Sequence, residues 1–548
     1  MLNPFWRDIL VSSILIALSI VLYHRVNVEF TGLDDTLIID SQWDKMKDSD
    51  YAFQAFKQSV FIFQGSTYYR PLLIVGLMPP ALVLQSENPE LEYYLAYSIF
   101  WLILTALTIY FSTAILGFSR LFRFLLTLFI VIHPSMVVGV RWIPGIGDLM
   151  LTTLALWSLY FFILWRRNKK IHALILHLTF WLSATLVKEA GILLPPLFVL
   201  MSILLEDFKK ESSVWVMRKT PMLVLLDQLH VKVWVWIKEN RVVSALWIIL
   251  LLAWIFVRGQ AGGAGSVSIL SYVNNIPYGA KDLAFLVGSI LIPLKTAPLI
   301  SVDWITFLLS IPGILLLFFL TWKYRLSNEV FLVFILWIIF ALITSTISGY
   351  VILHRLIFPM VGLAFGFAFL NDLLKSQRNL VVISSIVIFT LFGFLNIEFQ
   401  KDYNSAESFW TAIRDRSNLP SYGLTGLGNL YQTKNKPVQA KEMYIEALKH
   451  DELAPFMYVN LGRAYLDLDV YDSAIYYIQK ELDSDTKIFR EYVHFAMGCA
   501  LIEGGQRERG IEELLLGNTY YHQSRYARQA YDSLEQELDV ELVDRKRP

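Results

Sequence analysis

The chain has 548 residues, 55% of them hydrophobic, with 47 basic and 47 acidic side chains and a mean hydropathy of +0.50. This is the composition of a polytopic membrane protein, and the zero net charge excludes a nucleic-acid binder, which needs a basic surplus to meet phosphates. A single cysteine, Cys499, excludes an intrachain disulfide or a thiolate metal cluster.

The first apolar run, 9–26, follows Arg7 and ends in LYHRVNVEF without a small-x-small cleavage site, so it reads as a retained anchor. A long loop over 27–92 comes next. Its YAFQAFKQSVFIF and RPLLIVGLMPPALVL segments are too short or too broken to span, and their mixed aromatic, apolar and lysine content predicts helices lying in the membrane interface. Further runs at 93–116, 122–138, 148–165, 171–187, 190–205, 242–257, 304–321, 328–347, 356–371 and 380–397 bring the expected spans to eleven. The stretch from Leu283, LAFLVGSILIPLKTAPLI, is interrupted by Pro293, Lys295 and Pro298 and reads as re-entrant or interfacial. Eleven spans with an inside N-terminus put the basic stretches RLFR, WRRNKK, KYR, KSQR and 209–241 on the cytoplasmic side, where short loops collect Lys and Arg.

Beyond residue 397 the composition turns polar. Residues 398–420 read as a linker and 421–548 as a soluble domain with an internal period. Gly428 and Gly462, Tyr431 and Tyr465, and Ala440 and Ala474 are each 34 residues apart, the period of the tetratricopeptide repeat. A third copy puts Gly498 and Gly510 at the small positions after a two-residue insertion. The expected fold class is all-α: a membrane domain over 1–397, then an α-solenoid whose stacked helix pairs bury a core together.

Charged groups at span ends are informative, because charge in hydrocarbon is costly. The eleven-span topology gathers Asp34, Asp35, Arg70, Arg141, Asp148, Lys188, Glu189, His354 and Arg355 on the outer face, with the repeats. Each has a plainer use: Arg141, Lys188 and Arg355 as interfacial anchors, Asp148 as a helix cap, His354 as a loop histidine, and the two aspartates as a solvated turn after Gly32. Together they suit a reaction in which a carboxylate takes a proton while cations receive a departing phosphate. Arg70, Arg141, Lys188 and Arg355 are the candidates for the phosphate. Asp34 and Asp35 diverge whether the segment is extended or helical, so they do not share one proton. Either acid could be the base; Asp34 is taken for that role, with Asp35 orienting the loop or the substrate.

LDDTLIID, YYRPL, IHPSMVVGVRWIPGIGDLM, LVKEAGILLPPL and HRLIFPMVGLAF, in that order and followed by the repeats, resemble the transmembrane and tetratricopeptide repeat-containing O-mannosyltransferases and their prokaryotic relatives, of the GT-C glycosyltransferase class. The resemblance implies a metal-independent, inverting transfer from a polyprenyl-phosphate sugar, mannose by family default, to an acceptor hydroxyl on the extracytoplasmic side, with no cofactor. Asp34 and Asp35 match the family's acidic pair. Asp148 matches the acid of a Gly-Arg-Ala-Asp-like turn in which Ile146 and Gly147 replace the Arg and Ala, and Arg355 matches the arginine of a Glu-Arg-Tyr-like motif in which His354 replaces the Glu. Expected partners are the lipid-linked sugar, the bilayer, and an acceptor protein or glycan held by the repeats; the expected location is a bacterial inner membrane, with site and repeats on the periplasmic side. The competing readings are a membrane-anchored repeat scaffold for envelope proteins and a transferase acting on envelope glycan or lipid. A transporter is disfavoured, because no two related halves carry charged or Gly/Pro-broken mid-span sites.

Overall fold

A computed structural model describes residues 3–24, 29–60, 68–205, 221–261, 281–293, 296–323, 328–342, 351–450, 456–484, 490–522 and 525–543. Among them the chain is helical without a strand; Ile300 and Val351 form an isolated antiparallel bridge. A long apolar segment satisfies its own backbone most directly as a helix, which is why these sequences take that form.

Among the described residues, five helices are long and apolar enough to cross a membrane: Phe5–Tyr23, Leu91–Leu116, Ile143–Asn168, Arg241–Gln260 and Arg378–Tyr403. The run expected over 122–138 is instead two helices, Arg120–Ile132 and Ser135–Arg141, bent by 67°. The cause is Pro134, which biases the preceding His133 to extended backbone, φ −55° and ψ 136°. Asn396 answers the freed carbonyls, donating through Nδ2 to Ile132 O at 3.1 Å and His133 O at 3.3 Å. The apolar helices beginning at Ile171 and Glu189 are shorter, at 10–17 residues, whereas helix Trp304–Lys323 runs 20 residues with Pro312 inside it. The end of the 328–347 run, past Leu342, lies outside the described residues, as do 209–220 and 324–325 of the basic stretches.

The run over 356–371 is not one span. It breaks into a 3-10 turn, Leu353–Leu356, and three short helices, Ile357–Val361, Leu363–Gly366 and Ala368–Ser376. Pro359 lacks a donor, and the glycines serve close packing: a Cβ at Gly362 would lie 2.6 Å from Trp337 and one at Gly366 would lie 3.0 Å from Phe334. Hydropathy counts the segment as a span; packing uses it as a folded plug. The stretch from Leu283 is helical through residue 291, and residues 262–280 before it lie outside the described part.

The described residues of 29–92 form a lobe whose core takes in Tyr94, Ile143, Ile146, Met150 and Val187 of the neighbouring elements. Leu73, Ile74, Leu77 and Met78 of helix Pro71–Leu84 pack on Ile38, Ile39, Trp43, Met46 and Tyr51. The Trp43 indole donates to Ser86 O at 2.9 Å and the Tyr94 hydroxyl to Leu77 O at 3.0 Å. The segments expected to lie flat at the interface therefore turn much of their apolar surface inward; residues 61–67 lie outside the described part.

The expected linker, 398–420, is a docking element. Helix Arg378–Gln400 runs through a 3-10 turn, Lys401–Tyr403, into helix Ala406–Arg416, which a capping box of Ser405 and Ser408 opens. Phe409, Trp410 and Ile413 join the core shared with the apolar helices. Three antiparallel pairs follow: Pro420–Thr433 with Pro437–Ala447, Met457–Leu466 with Tyr471–Leu482, and Arg490–Glu503 with Arg507–Leu516. Gly428, Gly462 and Gly498 let Tyr444, Ile478 and Leu514 approach the partner backbone. The turns between paired helices use left-handed residues, Asn435 at φ 54°, Asp469 at 59° and Gly505 at 80°, residue types that tolerate this region best.

Gly423 faces the backbone of Arg414, where a Cβ would overlap atoms that cannot rotate away. Gly423→Ala is expected to cost about 1–3 kcal/mol by overpacking. A lower thermal unfolding midpoint in detergent is the check, and an unchanged midpoint would deny this contact.

Candidate functional site

Thr31-Gly32-Leu33 turns the chain tightly, with Gly32 at φ 81°, and delivers Asp35 to the amino end of a π-helical turn, Thr36–Asp40. Asp35 is 2% exposed and fully committed. Its carboxylate accepts from Thr31 N at 2.7 Å, Thr31 Oγ1 at 2.8 Å, Thr36 N at 2.9 Å and Leu33 N at 3.2 Å. Burial still pushes its carboxyl upward, against those donors. Asp34 is half-buried and accepts no hydrogen bond from any described residue. Burial, then the Asp35 charge, push its carboxyl up to about 6, with Arg70 and Arg355 pulling the other way.

Two ion pairs frame this carboxylate. Arg70, just before helix Pro71–Leu84, donates Nε–H to Glu189 Oε2 at 2.8 Å. Its Nη1 and Nη2 hydrogen-bond to no described residue, which leaves the fork unpaired among them, and the Tyr68 ring lies 4.6 Å from its Cζ. Lys188 leaves helix Ile171–Val187 in extended backbone and sends Nζ to both oxygens of Asp148, at 2.7 and 2.8 Å. Asp148 sits in the first turn of helix Ile146–Asn168 and is 4% exposed. His354 Nε2 lies 3.3 Å from its other face. Burial drives the His354 ring down to about 3, so it is neutral despite the adjacent carboxylate, which Lys188 already balances. Nε2–H is then the donor and Nδ1 a bare acceptor, which has no partner. Trp142 packs its ring 5.4 Å from that of His354. Arg355 lies within electrostatic reach of Asp34, Asp148, Lys188 and His354.

The fold thus brings Asp34, Asp35, Arg70, Asp148, Lys188, Glu189, His354 and Arg355 into one neighbourhood. Arg141, expected with the phosphate-binding cations, points elsewhere. Its Nη2 donates to Asn404 Oδ1 at 3.2 Å, at the root of helix Ala406–Arg416, with Tyr23 and Tyr403 nearby. The 67° bend turns its helix toward that junction. Asp282 was not singled out from the sequence, yet it lies within electrostatic reach of Arg355 and is 4% exposed. The available signal was an acid placed inside an otherwise apolar stretch, KDLAFLVGSIL. Among the described residues no three His, Cys, Asp or Glu side chains gather in a metal-holding group.

Chemically, the site offers one unbonded carboxylate beside a guanidinium whose fork is unpaired among the described residues, with further cations held in place by buried acids. Such a set can take a proton from one group while stabilising an anion on another. No protein-family model matches the chain, and comparison with curated proteins finds no significant match.

Lys188→Met would leave the Asp148 carboxylate buried with only the neutral His354 as donor. Removing one partner of such a pair costs about 3–5 kcal/mol. A fall in thermal midpoint is expected, and a variant as stable as the parent would show that the pair is not closed as described.

Proposed function

We propose that the protein is an integral-membrane glycosyltransferase of the inverting GT-C type, moving a sugar from a polyprenyl phosphate to an acceptor hydroxyl of a protein Ser or Thr. The observation that carries this reading is the division of the acidic pair: Asp35 is bound by its own loop, and Asp34 is unbonded beside Arg70 and Arg355.

In the proposed step Asp34 removes the acceptor proton as the acceptor oxygen attacks the anomeric carbon. The carbon–oxygen bond to phosphate breaks, and its electron pair leaves on the lipid phosphate toward the Arg70 fork and Arg355. Lys188 and His354 act through Asp148, as positioning groups. The C-terminal pairs are read as tetratricopeptide repeats forming an α-solenoid that holds the acceptor polypeptide. Site and repeats are read as lying outside, on the periplasmic side of a bacterial inner membrane. A scaffold whose helices merely anchor the repeats accounts less well for helix Ala406–Arg416, which shares the core of the apolar helices and meets Thr31 next to the acidic pair.

Asp34→Asn is expected to lower transfer by about 10²–10⁴-fold, the contribution of a general base. Its amount in the membrane should not change. Because the folded carboxyl sits above its unfolded value, ionised Asp34 costs stability at neutral pH, so the neutral amide should melt no lower than the parent. Near-normal transfer by this variant would sink the proposal. In the parent protein the base must be ionised, so transfer should fall as pH drops through about 6 and level off above it. Removal of residues 451–548, which spares the helices docked on the apolar core, should reduce transfer to protein more than donor hydrolysis by water. Equal losses would assign the repeats a structural role.

A further inference from the structure

Helix Ala406–Arg416 reads AESFWTAIRDR and buries Ala406, Phe409, Trp410, Ala412 and Ile413. At about 100° per residue these cover an arc of about 160°, wider than the stripe of a helix packed on one side. One neighbour is the first C-terminal helix pair: a Cβ at Gly426 of helix Pro420–Thr433 would overlap the Trp410 ring, so the indole lies directly against that helix's backbone. Another is the segment that leads into the acidic loop. Ala406 N donates to Glu29 Oε2 at 3.0 Å, and Trp410 Nε1 donates to Thr31 O at 2.7 Å.

Thr31 is where these contacts reach the site. Its N–H and its hydroxyl both donate to Asp35, and among the described residues its carbonyl accepts only from the indole. The next residue, Gly32, sits at φ 81° with open space where a Cβ would be, so nothing braces the turn there. Glycine is the residue least restrained by its own backbone, which leaves the Thr31–Gly32 peptide to be fixed from outside. Asp34 follows two residues later and accepts no hydrogen bond from any described residue, so the turn alone sets its place. A continuous set of contacts therefore runs from Gly426 through Trp410 and Thr31 to the loop of Asp34, and none of them involves Arg70.

We propose that Trp410 is a positioning residue for Asp34: the first C-terminal helix pair, seated at Gly426, holds the indole, and the indole N–H fixes the Thr31 carbonyl and with it the turn that aims the base. The inference rests on the transfer reaction proposed above. It adds a coupling, because the elements read as holding the acceptor and the carboxylate that takes its proton meet on one side chain. A reacting group misplaced by about 1 Å loses about 100-fold in rate, so one hydrogen bond at this position governs turnover. Donor affinity, which is read as residing in the cations, should not depend on it.

The test measures label transferred by the full-length protein from a panel of radiolabelled polyprenyl-phosphate hexoses into an envelope-protein extract, with kcat and donor KM taken for the hexose the parent uses fastest. Trp410→Phe keeps a ring against Gly426 and removes the N–H. It is expected to lower kcat about 10- to 100-fold and to leave donor KM within about twofold. In an Asp34→Asn background, whose residual rate is followed over long incubations, the same change should alter transfer by less than about twofold, because a residue that acts through the base has nothing left to act on. Gly426→Ala, which presses on the indole from the helix pair, should repeat this pattern and carries the comparison if Trp410→Phe is absent from the membrane. An unchanged kcat, a loss confined to KM, or an equal loss in the Asp34→Asn background would each overturn the assignment. Near-normal transfer by Asp34→Asn alone would instead overturn the base, and a parent that transfers no label would overturn the reaction, in both cases taking this assignment with it.

Discussion

The hydrogen bonds converging on Asp35 are the constraint on which the site depends. Four donors from Thr31, Leu33 and Thr36 close the loop on one carboxylate, and the Thr31 carbonyl in turn accepts the Trp410 indole N–H at 2.7 Å. A carboxylate saturated in this way is poorly suited to take up a proton from substrate. Its neighbour inherits the opposite condition, since Asp34 leaves the same turn without a donor, and burial, then the adjacent Asp35 charge, raise its basicity. Two identical side chains adjacent in sequence thus become one bound carboxylate and one unbonded one, through the geometry of a single turn.

A second constraint is the handling of charge away from water. Asp148 is neutralised by Lys188 and steadied by a neutral His354, and Glu189 fixes Arg70 through a single nitrogen. Each cation is therefore oriented before any substrate arrives, which is how a site stabilises developing charge without reorganising. The glycines support this at a distance. At Gly191, in the turn after Lys188 and Glu189, a Cβ would lie 2.6 Å from Thr185 N, so only glycine lets the turn close against its own helix.

Much of this was legible in the sequence because it rests on local pattern. The long apolar runs gave helices, the all-α class followed, and the 34-residue spacing of Gly428 and Gly462 matches equivalent positions in two successive helix pairs. The acidic pair and the cations near it stood out as charges at the ends of apolar runs. What hydropathy cannot register is a break. Pro134 bends one run, and Pro359, Gly362 and Gly366 fold another into short helices around Trp337 and Phe334. Residues 398–420 looked like a linker because they are polar, although Phe409, Trp410 and Ile413 recur at helical spacing and are buried. Arg141 illustrates the remaining difficulty: its sequence neighbourhood suggested phosphate, but the bend decides which junction it faces. Asp282 was hidden for the converse reason, in a stretch whose prolines drew attention away from its one acid.

The Trp410 contact with Thr31 joins residues 379 positions apart in the chain. A ribosome adding about 5–20 residues per second would need roughly 20–80 s to supply the indole after the loop has emerged. Throughout that interval the nascent chain holds its acidic pair in a loop that lacks its last tether. The proposed activity thus depends on a late segment: a product truncated before residue 410 would insert its early helices yet lack the clasp on the loop that carries the proposed base. The same contact ties the first and last thirds of the molecule together beside the acidic pair.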